Sequence, residues 1–254
     1  MSKERSKQKM SGLWETFKTV IYAVLFALVL RTFAYEPFNI PSGSMIPTLL
    51  QGDYLFVSKF SYGYSHYSLP FSMKLFSGRI FEGEPERGDV AVFRLPIDDS
   101  TDYIKRMIGL PGDRIQVIGG VLYINGEAIR RERIYDYVET DFLGRTRATA
   151  QYRETLPNGV SYRVLDRQPN ASLDNTPVYV VPDGHYFAMG DNRDNSVDSR
   201  VPAERMGVGF IPAVNLIGRA ERLFFSSDGT AHIWEVWKWP SAIRFNRLFQ
   251  SVAE

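Results

Sequence analysis

The feature that most constrains this chain is an apolar run near its start, from Leu13 to Tyr35, whose central part Val20 to Leu30 carries no charge. As helix the central part spans roughly 16 Å and the whole run roughly 34 Å, and only the longer is enough to cross a bilayer. Glu15, Lys18 and Arg31 lie near its ends, where long basic side chains reach the headgroups, and Trp14 and Tyr35 suit the two interfaces. Ahead of it, Met1 to Met10 sets Lys3, Arg5, Lys7 and Lys9 against Glu4 alone, a positive-inside pattern. A cleavable leader would need a small-residue exit, and Arg31-Thr32-Phe33-Ala34-Tyr35 is a poor one. The expected organisation is a basic cytoplasmic tail at 1–12, one transmembrane helix at 13–35 and an extracytoplasmic body at 36–254. The mean hydropathy of -0.21 excludes a polytopic membrane protein.

After Glu36 the pattern changes to short β-branched and aromatic segments separated by Gly, Pro and Asn, which predicts a mainly β body. Strands are expected at Asp53 to Lys59, Val90 to Leu95 and Ile104 to Leu110, the last running into the turn Pro111-Gly112-Asp113. Arg114 to Ile118 and Val121 to Ile124 are separated by Gly119-Gly120 and followed by Asn125-Gly126, pairs that accept positive φ and so predict a small meander. From Arg130 to Asp183 the chain is polar and charged, with weaker strands near Ser161 to Leu165 and Val178 to Val181, and reads as an inserted β subdomain or long loop. No period of 20 to 50 residues repeats, which argues against a solenoid or propeller.

Several chemistries are excluded by what the chain lacks. With no cysteine there is no thiol nucleophile, disulfide, iron–sulfur cluster or thiolate zinc site. The three histidines, His66, His185 and His232, have no neighbouring metal-type ligand at a usable spacing, so no metal is expected. Neither glycine-rich phosphate-binding motif occurs. Asp191, Asp194 and Asp198 could suggest a calcium loop, but Arg193 stands at the third loop position and no glycine or terminal glutamate falls in register. The 30 basic against 29 acidic residues give no global field for nucleic acid, and no such partner is expected.

Three segments remain. Pro41-Ser42-Gly43-Ser44-Met45-Ile46-Pro47-Thr48-Leu49 lies just past the membrane exit and is also ordinary turn composition. In Asp102-Tyr103-Ile104-Lys105-Arg106-Met107-Ile108-Gly109-Leu110-Pro111-Gly112-Asp113, strand alternation puts Tyr103, Lys105 and Met107 on one face, so covering that face carries Lys105 into an apolar setting. Gly190-Asp191-Asn192-Arg193-Asp194-Asn195-Ser196-Val197-Asp198-Ser199-Arg200 holds more hydrogen-bonding side chains than a plain turn needs.

Together and in this order, with the Gly88-Asp89-Val90 strand and the preceding anchor, these segments resemble bacterial type I signal peptidase of the Gram-negative type, a membrane-anchored serine-lysine dyad protease. The resemblance implies a signal-peptidase β-fold, a periplasm-facing site on the inner membrane and a cytoplasmic N-terminus. It implies cleavage of signal peptides from exported preproteins after Ala-x-Ala-type sites. Ser44 matches the nucleophile and Lys105 the general base, which must be unprotonated to serve. Ser42, with the Ser44 backbone N–H, matches the oxyanion hole; Ser196 matches the serine that orients the lysine amine, and Asp198 and Arg200 a supporting ion pair. Ile40, Pro41, Met45, Leu49 and Ile104 are expected to wall a pocket that admits a methyl group, and Tyr103, Met107 and Met45 to surround the lysine. The peptide would add as a strand along Pro41 to Ser44 and Asp102 to Ile104. The implied partners are signal peptides and the lipid bilayer, the implied state is a monomer, and no cofactor is implied. The segment from Ile233, with Trp234, Trp237 and Trp239, fits either a bilayer interface or a packed tail. Two other readings are a different serine-lysine maturation protease and a membrane-tethered module that binds signal peptides without cutting them.

Overall fold

The computed structural model describes residues 2–69, 72–140, 144–232 and 234–252, residues 2–13 and 140 by backbone alone. Helix α1 runs from Ser2 to Phe33, and its apolar window Trp14–Phe33 has 20 residues, mean hydropathy 1.6 and outward-facing side chains such as Tyr22 and Phe26. At 1.5 Å per residue that window is roughly 30 Å long, the thickness of a hydrocarbon core. The side chains of the basic tail lie outside the described residues. The helix stops two residues short of the expected Tyr35. Glu36 precedes Pro37 and is pushed away from helical backbone, and Tyr35 opens a strand instead, its ring meeting those of Phe56 and Phe60.

The body is β-structure: β1 (Tyr35–Asn39), β2 (Asp53–Ser58), β3 (Val90–Arg94), β4 (Asp102–Gly109), β5 (Arg114–Ile118), β6 (Val121–Ile124), β7 (Glu127–Ala128), β8 (Arg130–Arg133), β9 (Tyr137–Thr140), β10 (Thr146–Thr155), β11 (Ser161–Asp166), β12 (Tyr179–Val180), β13 (His185–Met189), β14 (Ile211–Pro212) and β15 (Leu216–Ser226). One sheet has the order β1-β2-β15-β3-β4-β13-β14, a second β12-β5-β6-β7, and a third β11-β10-β8 with β9 also on β10. The two hairpins of the second sheet turn through Gly119-Gly120 and Asn125-Gly126, and all four residues have positive φ, as primed turns require.

Residues 130–166 do not stand apart as a loop. Leu156, Tyr162 and Val164 of this stretch share a core with Ile108, Ile115, Val117, Leu122 and Phe187. A second core lies under β1, β2, β3 and β15, where Leu55, Val57, Val90, Val92 and Leu223 enclose Met45 and Leu49. Trp234 and Trp237 are exposed, whereas Ala242 and Val252 are buried and Arg244 and Arg247 donate to backbone or to Asp53. The C-terminal segment thus packs at some positions and leaves its tryptophans in the open; Ile233 lies outside the described residues.

Candidate active site

β1 delivers the chain into the turn Ile40 to Leu49, and β4 runs beside it. On β4, Tyr103 and Lys105 point to one face, and the Lys105 ammonium nitrogen lies 5.2 Å from the centre of the Tyr103 ring. Lys105 Nζ donates to Ser44 Oγ at 2.8 Å and to the Ile104 carbonyl at 2.9 Å. Both residues are almost wholly enclosed, Ser44 at 8% and Lys105 at 4% exposure. Burial lowers the Lys105 pKa from 10.5 to about 8, against the opposing pull of the Asp198 and Asp191 charges. A lysine so placed is neutral in a useful fraction near neutral pH and can accept a hydroxyl proton. Ser42 Oγ is 3.4 Å from Ser44 Oγ and faces the same opening.

That opening is a cleft of about 350 Å³ with Ser44 and Lys105 in its wall. Its apolar lining is Phe38, Ile40, Pro41, Val92, Ile104 and Val197. Two expected wall residues are elsewhere: Met45 and Leu49 have no exposed surface and belong to the core beneath the turn. The turn's backbone directs them inward, because the side away from the cleft is where β2 and β15 offer apolar cover. Met107 likewise sits in the core with Phe93 and Ala188.

Strand pairing leaves one edge of β4 open at the cleft. β13 pairs with β4 only from Gly109 to Arg106, whereas β3 follows the other side out to Asp102. Residues 102–105 therefore present strand-edge backbone on the cleft side, a template for an extended peptide.

The loop 190–200 explains its own composition once its contacts are followed. Asp191 grips the Arg106 guanidinium at 2.9 and 2.7 Å and accepts from Thr48 Oγ1 at 2.5 Å. Asn192 Nδ2 donates to the Gly43 carbonyl and its backbone N–H to the Ser44 carbonyl, at 2.8 and 3.0 Å. Arg193 is paired with Glu154 of β10, and Asp194 accepts from the Arg167 and Gln168 backbone N–H groups. Asp198 accepts twice from the Arg200 guanidinium at 2.9 Å and from the backbone N–H groups of Arg200 and Gly190 at 3.2 and 3.0 Å. Burial pushes the Asp198 carboxyl up, but Arg200 and the Gly190 N–H outweigh it and hold it below its usual value. The three aspartates thus go to three separate cationic or amide partners. Among the described residues no three His, Cys, Asp or Glu side chains gather as a metal site.

Ser196 departs from its expected contact. Its hydroxyl lies by the Asp198 carboxylate and helps to hold that group's pKa down, while Lys105 spends its amine on Ser44 and Ile104. The Ser196 side chain is instead packed against Gly190, where a Cβ would stand 2.2 Å from its oxygen and 2.6 Å from the Ser44 carbonyl oxygen. Sequence reasoning did not single out Thr48, Arg106, Asp191 and Asn192 as the groups that hold the turn, nor Phe38, Asn39, Asn195 and Val197 as cleft residues. Strand alternation was the available signal for Arg106, since it must face opposite Lys105.

The family described as signal peptidase, peptidase S26, matches residues 13–225. A signal peptidase I of Rickettsia typhi is 41% identical over 269 aligned residues, covering 99% of this chain and 98% of that protein. One of Rickettsia canadensis is 42% identical, covering 94% and 93% of the two chains. A crystal structure of a signal peptidase I from Enterococcus faecalis V583 is 25% identical over 54% of this chain and 96% of that one, with a TM-score of 0.30, too low to support any argument.

Proposed function

The chain belongs to the signal peptidase family, peptidase S26, and we propose that it cuts signal peptides from exported preproteins with Ser44 as nucleophile and Lys105 as general base. It is a serine protease of the type I signal peptidases. The contact that carries the assignment of roles is the 2.8 Å approach of Lys105 Nζ to Ser44 Oγ inside an apolar cleft. In the reacting state Lys105 is neutral and takes the proton as Ser44 Oγ bonds to the scissile carbonyl carbon. The charge that develops on the carbonyl oxygen is met by the Ser42 hydroxyl and the Ser44 backbone N–H. The Lys105 ammonium then returns the proton to the leaving amine of the mature protein, and a water activated by the same amine releases the signal peptide from Ser44.

Ser196 contributes through packing behind Gly190 and Ser44, and the Asp198–Arg200 pair fixes the end of its loop. The methyl-sized preference follows from the aliphatic wall of Ile40, Val92, Ile104 and Val197 beside the open edge of β4. Helix α1 serves as the membrane anchor of the bacterial inner membrane, its N-terminal end cytoplasmic and the β body periplasmic. The protein acts as a monomer without a cofactor.

The test is incubation of the full-length, detergent-solubilised protein with a preprotein bearing an Ala-x-Ala site, with the cut located by mass spectrometry. Cleavage after the last Ala is expected for the wild type and none for Ser44→Ala or Lys105→Ala. Retained cleavage in either variant sinks the dyad. Protease added to right-side-out membrane vesicles should digest the β body, and protection of the body there would overturn the orientation.

A further inference from the structure

Strand alternation on β4 gives the molecule a second cavity. Lys105 opens onto the cleft, and Arg106, its neighbour, points to the opposite face, where it lines a polar cavity of about 270 Å³. The two cavities share no residue. The second is walled by Arg106, Arg153, Arg163 and Arg247, with Thr48 and Tyr162, and among the described residues no carboxylate lines it.

The charge balance inside it is one-sided. Arg106 is neutralised by Asp191, and Arg247 by Asp53. Arg153 and Arg163 have no such partner among the described residues, and they stand directly opposite one another in the β10–β11 ladder. Like charges facing across an antiparallel pair repel, so this register is unfavourable unless something anionic lies between them. The excess reaches further than the cavity wall. Burial and the Glu139 charge raise the Tyr137 phenol pKa on β9, and the charges of Arg247, Arg244 and Arg163 offset part of that rise.

We propose that this cavity is an anion-binding site, separate from the cleft, that takes a compact phosphate group on Arg153 and Arg163. Two guanidiniums on adjacent strands can each present a planar fork to a tetrahedral anion. Thr48 and Arg106 in the same wall both bond Asp191, the residue before the Asn192 that holds the Ser44 carbonyl, so the bound anion lies against the back of the turn that carries Ser44. The binding site stands on the cavity alone and does not depend on the serine-lysine assignment.

The experiment is calorimetric titration of the full-length protein in detergent with inorganic pyrophosphate at constant ionic strength, beside co-sedimentation with phosphatidylglycerol or phosphatidylcholine vesicles. The same measurements are made on the Arg153→Gln/Arg163→Gln variant, whose changed side chains are exposed and whose fold is checked by circular dichroism. Saturable pyrophosphate binding that weakens at least about tenfold in the variant supports a site for soluble phosphate. Preference for phosphatidylglycerol vesicles that is lost in the variant, without pyrophosphate binding, supports the same chemistry supplied by a lipid headgroup. Equal binding by wild type and variant, or no binding of either probe, overturns the proposal.

Discussion

Lys105 is asked to be two things at once, a buried side chain and a base. Its pKa of about 8 sets the expected pH profile: kcat/KM should rise with pH as the amine loses its proton and level off above about 8. A flat profile from pH 6 to 9 would rule it out as the base. The same shift has a stability cost. In the unfolded chain the amine titrates near about 10.4, so the unfolded state binds the proton more tightly and stability rises with pH between about 8 and about 10.4. At pH 7 the full penalty applies, up to about 3 kcal/mol. Lys105→Met should therefore be inactive yet more resistant to urea at pH 7, with the gain fading by about pH 10.4. Ser42 makes the opposite kind of contribution. It is exposed and does little for the fold, so Ser42→Ala should lower kcat by about 10²–10³ with little change in KM, measured with a short Ala-x-Ala peptide.

At the scale of elements, the hub is the loop between β13 and residue 200, which ties the serine turn, β4 and β10 together. Gly190 is its tightest point. Gly190→Ala would place a methyl group 2.6 Å from the Ser44 carbonyl oxygen, and displacing that turn should cost about 10² in kcat, read beside an unchanged circular dichroism spectrum. Asp191→Ala removes the partner of a guanidinium that is 1% exposed and should cost about 3–5 kcal/mol in urea unfolding. How much of this was legible varied with the local chemistry. The β5–β6–β7 meander could be bounded almost to the residue, because Gly119-Gly120 and Asn125-Gly126 force their turns by backbone conformation alone. β15 could not, since three register shifts, two against β2 and one against β3, interrupt its alternation and Arg219, Glu221 and Arg222 break up its apolar residues. β10 was hidden for a different reason: the residues it buries, Thr149, Gln151 and Glu154, are polar, so its sequence reads as loop. Ser44 and Lys105 were legible as a pair through their motifs, but which way the turn faced was not. Met45 and Leu49 fell on the core side because of the cover that β3 and β15, distant in sequence, add to that of β2.

Over the whole molecule, one ion-pair chain connects the helix to the β body. Glu36 receives Arg31 from the last turn of α1 at 2.7 Å and the buried Lys59, beyond the end of β2, at 2.8 Å. Glu36→Gln should lower the unfolding free energy by about 1–3 kcal/mol, because Lys59 keeps its charge and its burial but loses its counter-ion. It should also slow cleavage of a membrane-inserted preprotein more than that of a soluble peptide, since only the former needs the body held at a set distance from the bilayer. Equal slowing of the two would remove that role. The molecule also depends on the parity of β4. Residue 105 faces a cleft that needs a group able to shed its proton, and residue 106 faces a site that needs a permanent cation. Losing or gaining one codon upstream within the strand would exchange the two, so in a library of variants β4 should tolerate many single replacements while admitting almost no single-residue insertions or deletions.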